Sequence, residues 1–198
     1  MTDVLKPYPN ASAGEDIVTR TQVWLERAVI GLNLCPFAKS VFVKKQVRYA
    51  LTAASTPDEL LAELEHELTL LTETDPAKLD TTLLIHPLAM TDFLDFHFFL
   101  GEVDALIRNL GYEGVYQVAS LHPQYEFVGS EPDDIANFTN RSPYPTLHLL
   151  RESSIDRAVA AFPEAELIYE TNIATLQGLG DEGWAALRRQ CAEDAKKA

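Results

Sequence analysis

Apolar positions along the chain alternate between helical and strand spacing. Ile17, Thr21, Trp24, Leu25, Ala28 and Leu32 recur at intervals of three and four, which predicts an amphipathic helix weakened near its end by Gly31 and Asn33. "QVRYALTAA" (46–54) reads as a strand. "STPDELLAELEHELTLLTE" follows as a helix, with Ser55 or Thr56 as N-cap, Pro57 in the first turn and early acidic residues. "DTTLLIHP" (80–87) is a short buried strand stopped by proline, and "TDFLDFHFFLGEVDALIRNLG" a helix capped by Thr91 and closed by Gly111. "GVYQVASLHP" (114–123) and "TLHLLRE" (146–152) are strands separated by a long polar insert. "SSIDRAVAAFP" then predicts a helix capped by Ser153 or Ser154, "AELIYE" (165–170) a last strand, and "TNIATLQGLG" and "DEGWAALRRQCAEDAKK" two closing helices.

Residues 80–170 therefore spell β-α-β-β-α-β, the order of a ferredoxin-like α/β sandwich. The expected fold is α+β: that core with a mixed sheet, an additional N-terminal helix, strand and helix, and C-terminal helices. Residues 1–14 read as a flexible arm and 15–198 as a single domain. A chain of 198 residues with 46% hydrophobic positions is large enough to bury a core of that kind.

The topology makes a geometric prediction. Strands 80–86 and 114–121, joined by a helix, should run parallel and end at one edge, each with a histidine before proline: His86-Pro87 and His122-Pro123. The returning strand starts at that edge and carries His148 close to it. The insert from Gln124 to Pro145 would hang over the same edge, and connections of this length are commonly binding loops or lids. His122 and His148 are candidate general acid and base. Arg141 offers a planar fork for an anionic substrate, and Asn140, Ser142, Tyr144 and Tyr125 offer further substrate-binding contacts. His86, His122 and His148 together are also a ligand set that leaves a divalent metal such as zinc an open position, although the chain has no HExxH, HxH or paired cysteines. The plainer reading is that each histidine bonds a main-chain carbonyl.

Cys35, in "GLNLCPFAKS", is the candidate nucleophile. If Pro36 opens a short helix, Cys35 caps it, and Lys39, Lys44 and Lys45 stand near enough to favour a thiolate. The alternative is a small buried hydrophobe. "CPFAK" brushes against thioredoxin-like thiol proteins, but Ala38 stands where a resolving cysteine would be.

Formal charge is −14, from 30 acidic and 16 basic residues, which argues against nucleic acid and anionic membranes as partners. Two cysteines far apart, no secretory signal and no membrane-length apolar run fit a cytoplasmic protein. Finally, "GLNLCPFA", "TTLLIHP", "ASLHPQYEFVG" and "NFTNRSPYPTLHLLRE" together resemble the bacterial domain-of-unknown-function family 1415, over about Val23 to Asn172. The resemblance implies a single soluble domain and no particular chemistry. The functional expectation from the residues is an enzyme acting on a small anionic metabolite by hydrolysis or acyl transfer. A non-catalytic small-ligand or protein-binding module, or an interface in a homo-oligomer, is the alternative.

Overall fold

The computed structural model describes residues 7–161 and 167–198. Its centre is a sheet of four strands, β1 (Val47–Leu51), β2 (Thr81–Ile85), β3 (Tyr116–Leu121) and β4 (Thr146–Arg151), in the spatial order β1-β2-β4-β3. The first pair is parallel, and β4 runs antiparallel to both of its neighbours. The sheet is therefore mixed and the fold α+β. The helix α3 (Pro57–Glu73) connects β1 to β2, and α4 (Phe93–Asn109) connects β2 to β3. β4 then inserts between the two parallel strands, giving the split β-α-β arrangement with which a ferredoxin-like core is compatible.

The outer position beside β2 belongs to β1, from the N-terminal side of the core. A strand at 165–170 is not formed: 167–170 enter a helix, and 165 and 166 lie outside the described residues. The helix α1 (Ala11–Trp24) begins inside the predicted arm, capped by the Asn10 side chain, while residues 1–6 lie outside the described chain. It continues into wide π-helical turns over Leu25–Ile30, where the Gly31 N–H bonds the Glu26 carbonyl. A Cβ on Gly31 would lie 2.1 Å from the Arg27 carbonyl oxygen, so only glycine fits there. A short helix α2 (Ala38–Val43), then α5 (Glu152–Ala160) and α6 (Ile168–Ala195), complete the chain, with α6 broken at Gly180 (φ 67°), where the sequence predicts the boundary between two helices.

Local chemistry explains the element ends. Thr56 accepts the Glu59 N–H while Glu59 reaches back to Ser55, with Pro57 in the first turn as expected. Asp92, one residue after the predicted Thr91, caps α4 through the N–H groups of Leu94 and Asp95. Ser154 does not cap α5. It sits inside the helix and donates to Asp80 instead.

Alternation along the strands sorts two cores. Leu84, Leu147 and Leu149 face α3 and α4, meeting Leu60, Leu64, Phe96 and Phe99. Leu83 faces the other way, toward Trp24, Leu25, Val29, Leu176 and Trp184 of α1, its π-turns and α6. At the end of β4, buried Arg151 turns into the first core and donates to the carbonyls of Leu71, Thr74 and Leu79 and to the Tyr116 hydroxyl. A cation at the C-terminal end of α3 satisfies carbonyls that the helix leaves unpaired. Arg151→Met should lower stability by about 3 kcal/mol, because it orphans those buried acceptors. An unchanged urea midpoint would show that they find other partners.

Candidate functional site

The predicted histidines divide between the two faces of the sheet. His86 and His122 follow β2 and β3 and turn toward α4, both fully buried. Phe96 packs against each ring at 5.4 Å between centroids. His86 Nδ1 donates to the Ala89 carbonyl, and His122 Nε2 pairs with the adjacent Met90 carbonyl. Because the Gln124 N–H points at His122 Nδ1, that nitrogen must accept, so Nε2 carries the proton. Both ring nitrogens of His122 are thus committed to holding the turn after β2, where Met90 sits at φ 52°, and the start of the long insert. His86 keeps one buried nitrogen, Nε2, without a partner among the described residues.

His148 lies elsewhere. It pairs in register with Leu83 and Ala119, so it shares the face of Leu83, opposite the other two imidazoles. The three do not gather as a ligand set. Among the described residues no group of three His, Cys, Asp or Glu side chains is arranged to hold a metal. The expectation of a common rim fails because His148 stands two residues into β4, where strand alternation places it on the opposite face.

What His148 does share is a cleft with Cys35. A cavity of about 810 Å³ crosses that face of the sheet, floored by Thr81, Leu83, Ala119, Leu121 and His148 and walled by the 34–38 turn and α5. The turn is pinned by buried Asn172 of α6, which donates to the Leu34 carbonyl. Thr81 has one hydroxyl proton and a close acceptor for it, the Leu149 carbonyl at 2.6 Å. Its 2.8 Å contact with His148 Nε2 must therefore run the other way, with the imidazole donating. This leaves Nδ1 of His148 as a lone-pair acceptor. Burial pushes the His148 pKa down to about 4, so the ring is neutral at physiological pH.

Cys35 departs from its predicted state. The helix α2 starts only at Ala38, so Pro36 does not open it. Phe37 and Ala38 N–H groups point at the sulfur and favour the thiolate, but burial outweighs them and raises the thiol pKa above its ordinary value. Cys35 and Cys191 are both unpaired.

The long insert is an ordered structure in its own right. Asn137, fully buried, accepts from the Phe127 N–H and Ser130 hydroxyl and donates to the Glu131 carbonyl. Arg141 donates to the carbonyls of Tyr125 and Pro132 and lies 4.6 Å above the Phe138 ring. Ser142 bonds the Tyr144 carbonyl, and Tyr125 packs on Phe93 and Phe127. Of the predicted substrate contacts, only Asn140 lines the face cleft. Arg141, Ser142 and Tyr144 line a separate cavity, and Tyr125 a third. Sequence reasoning missed Arg157 and Asp80, which meet at the mouth of the cleft. Arg157 donates to Ser154, which donates to Asp80, and neither residue belongs to a motif.

Cleft, Cys35, His148 and insert all lie within residues 16–186, the span matched by the family model described as "Protein of unknown function (DUF1415)". The chain belongs to the DUF1415 family. No curated protein and no solved structure matches it. For this DUF1415 member, no helix among the described residues is long and apolar enough to cross a membrane.

The neutral histidines predict a pH signature. His86 and His148 both have folded pKa values lowered from 6.5 to about 4. Between those values the unfolded chain binds protons that the folded chain refuses, so stability falls as pH drops through that window. Each contributes a slope of up to about 1.4 kcal/mol per pH unit. His148→Gln should flatten the urea-derived stability curve between pH 6.5 and 4 relative to wild type. An identical curve would mean that His148 titrates normally.

Proposed function

We propose that this protein binds a small metabolite with an apolar body and an anionic head in the cleft across the β2–β4 face. The observation that supports this is the composition of that one cavity. Its lining is largely apolar, with His148 Nδ1 as a free acceptor in the floor and Gln117 beside it on the same face. Lys44 and Arg157 line it near the beginning of β1 and β2, with Asp80 as the accompanying carboxylate. In a chain of net charge −14, such a local cationic element is what lets an anion approach. His148 stands opposite Leu83, two strand residues or ~7 Å along the sheet from Thr81 at the start of β2. A cytoplasmic, reducing setting fits two unpaired thiols.

A second reading is favoured by Cys35 and His148 lining the same cleft. There the thiol would attack an acyl carbon while His148 Nδ1 accepts its proton. The S–C bond forms as the leaving group departs with that proton, and water then hydrolyses the thioester. A buried neutral thiol and a weakly basic imidazole make this the less favoured chemistry, since neither is poised for proton transfer at neutral pH.

The two readings separate experimentally with 4-nitrophenyl hydrogen glutarate, an acyl ester with an anionic end, and with glutarate and octanoate as inert ligands. Recognition alone predicts thermal stabilisation by octanoate, weakened about tenfold in Lys44→Gln/Arg157→Gln, and no acylated Cys35 by mass spectrometry. Acyl transfer predicts nitrophenolate release and a Cys35 adduct, with loss of at least about 100-fold in Cys35→Ala and His148→Gln. Absence of binding and of turnover would remove the cleft as the functional site.

A further inference from the structure

A second cavity, of about 310 Å³, lies between α1, the 138–144 segment and the second half of α6. Among its lining residues are Trp24 and Trp184, more than nine-tenths buried, and both indole N–H groups are without a hydrogen-bond partner among the described residues. An indole nitrogen can only donate, and a buried donor without an acceptor is unfavourable by about 1–3 kcal/mol. Two such donors, in side chains that line one cavity, are unmet demands for acceptors beside it.

The rest of the lining has the same bias. Arg20, Arg141 and Arg188 line the cavity with Tyr144, and no aspartate or glutamate does. Arg141 commits Nε and Nη2 to the insert's carbonyls, leaving Nη1 without a partner among the described residues. Arg188 is exposed and stands close enough to Arg141 to make its charged form less favourable. The neighbouring carboxylates act from outside the lining: Asp16 pairs with Arg20 at 2.6 Å, and Glu126 lies near Arg141. The two indoles are held in place by their surroundings, since Trp184 stacks on Phe138 at 5.0 Å, the same ring that Arg141 covers.

We propose that this cavity is a binding site for a small oxyanion, the phosphate or carboxylate group of a metabolite. Arg141 and Arg188 repel one another across a lining that holds no carboxylate, and an oxyanion is a ligand that accepts from guanidinium, phenol and indole donors alike. The site is independent of the chemistry of the face cleft, although Trp24 lines both cavities.

The test uses the fact that the chain has only two tryptophans. In a ¹⁵N-labelled sample, inorganic phosphate and, separately, acetate are titrated at constant ionic strength against a chloride control, and the two indole N–H signals are followed. The expected result is that one of the two oxyanions moves both signals in a single saturable process while chloride moves neither, and the effective arm names the group. Arg188→Gln, an exposed substitution, should weaken that process about tenfold with the remaining spectrum intact. Indole signals unmoved by either oxyanion would overturn the proposal, leaving a hydrated cavity. An Arg188→Gln variant of unchanged affinity would overturn it too, by placing the anion elsewhere.

Discussion

Strand β4 enters the sheet between β2 and β3 and exchanges hydrogen bonds with both, in a register that pairs His148 with Leu83 on one side and Ala119 on the other. Side chains alternate along a strand, so this register fixes the face of each polar group on β4, His148 on one and Arg151 on the other. A shift by a single residue would carry His148 into the leucine-rich core against α3 and α4 and turn Leu147 and Leu149 out of it. Burial of those two leucines, both inaccessible to solvent, is what prevents that shift. The polar floor of the cleft is therefore a by-product of the hydrophobic packing on the opposite face.

The same arrangement explains why the histidines play different roles. His86 and His122 sit one residue past the last residue of a parallel strand, where the chain must turn and backbone carbonyls lack ladder partners. Imidazole N–H groups meet two of those carbonyls in succession, Ala89 and Met90, and Phe96 fills the space between the rings. His148 is inside a strand whose backbone bonds are already made, so its ring is available to the cavity. The insert reinforces this division. With Asn137 at its centre and Arg141 across its carbonyls, it is a self-supporting loop that delivers Thr139 and Asn140 to the far end of the cleft. Several of its backbone polar groups are met by the loop's own side chains, which helps order a long connection.

Electrostatically the molecule combines an acidic exterior with cations placed at concavities. Lys44 and Arg157 are at the face cleft, and Arg20, Arg141 and Arg188 at the cavity beside Trp184. Arg151 and Arg48 do structural work instead, the first on carbonyls at the end of α3 and the second as a bidentate partner for Glu67 of that helix. Arginine suits both uses because its planar fork serves carbonyls, carboxylates and oxyanions alike.

Most of the fold was legible in the one-dimensional pattern, because periodicity and capping are local. The strands 81–85, 116–121 and 146–151, the helix opened by Thr56 and Pro57 and the break at Gly180 all follow from neighbours in the chain. The parallel pairing of β1 with β2 also follows from the intervening helix. Which face a residue occupies depends on register, and register is settled by burial summed over a whole strand. Tertiary structure alone therefore moved His148 away from His86 and His122 and set it in the cleft with Cys35, raised the Cys35 thiol by burying it, and committed two arms of Arg141 to its own loop. It also assembled Trp24, Trp184 and three arginines around one cavity, from positions spread along nearly the whole chain. No local signal encodes such a convergence, because it arises where helices α1 and α6 pack on the same side of one sheet.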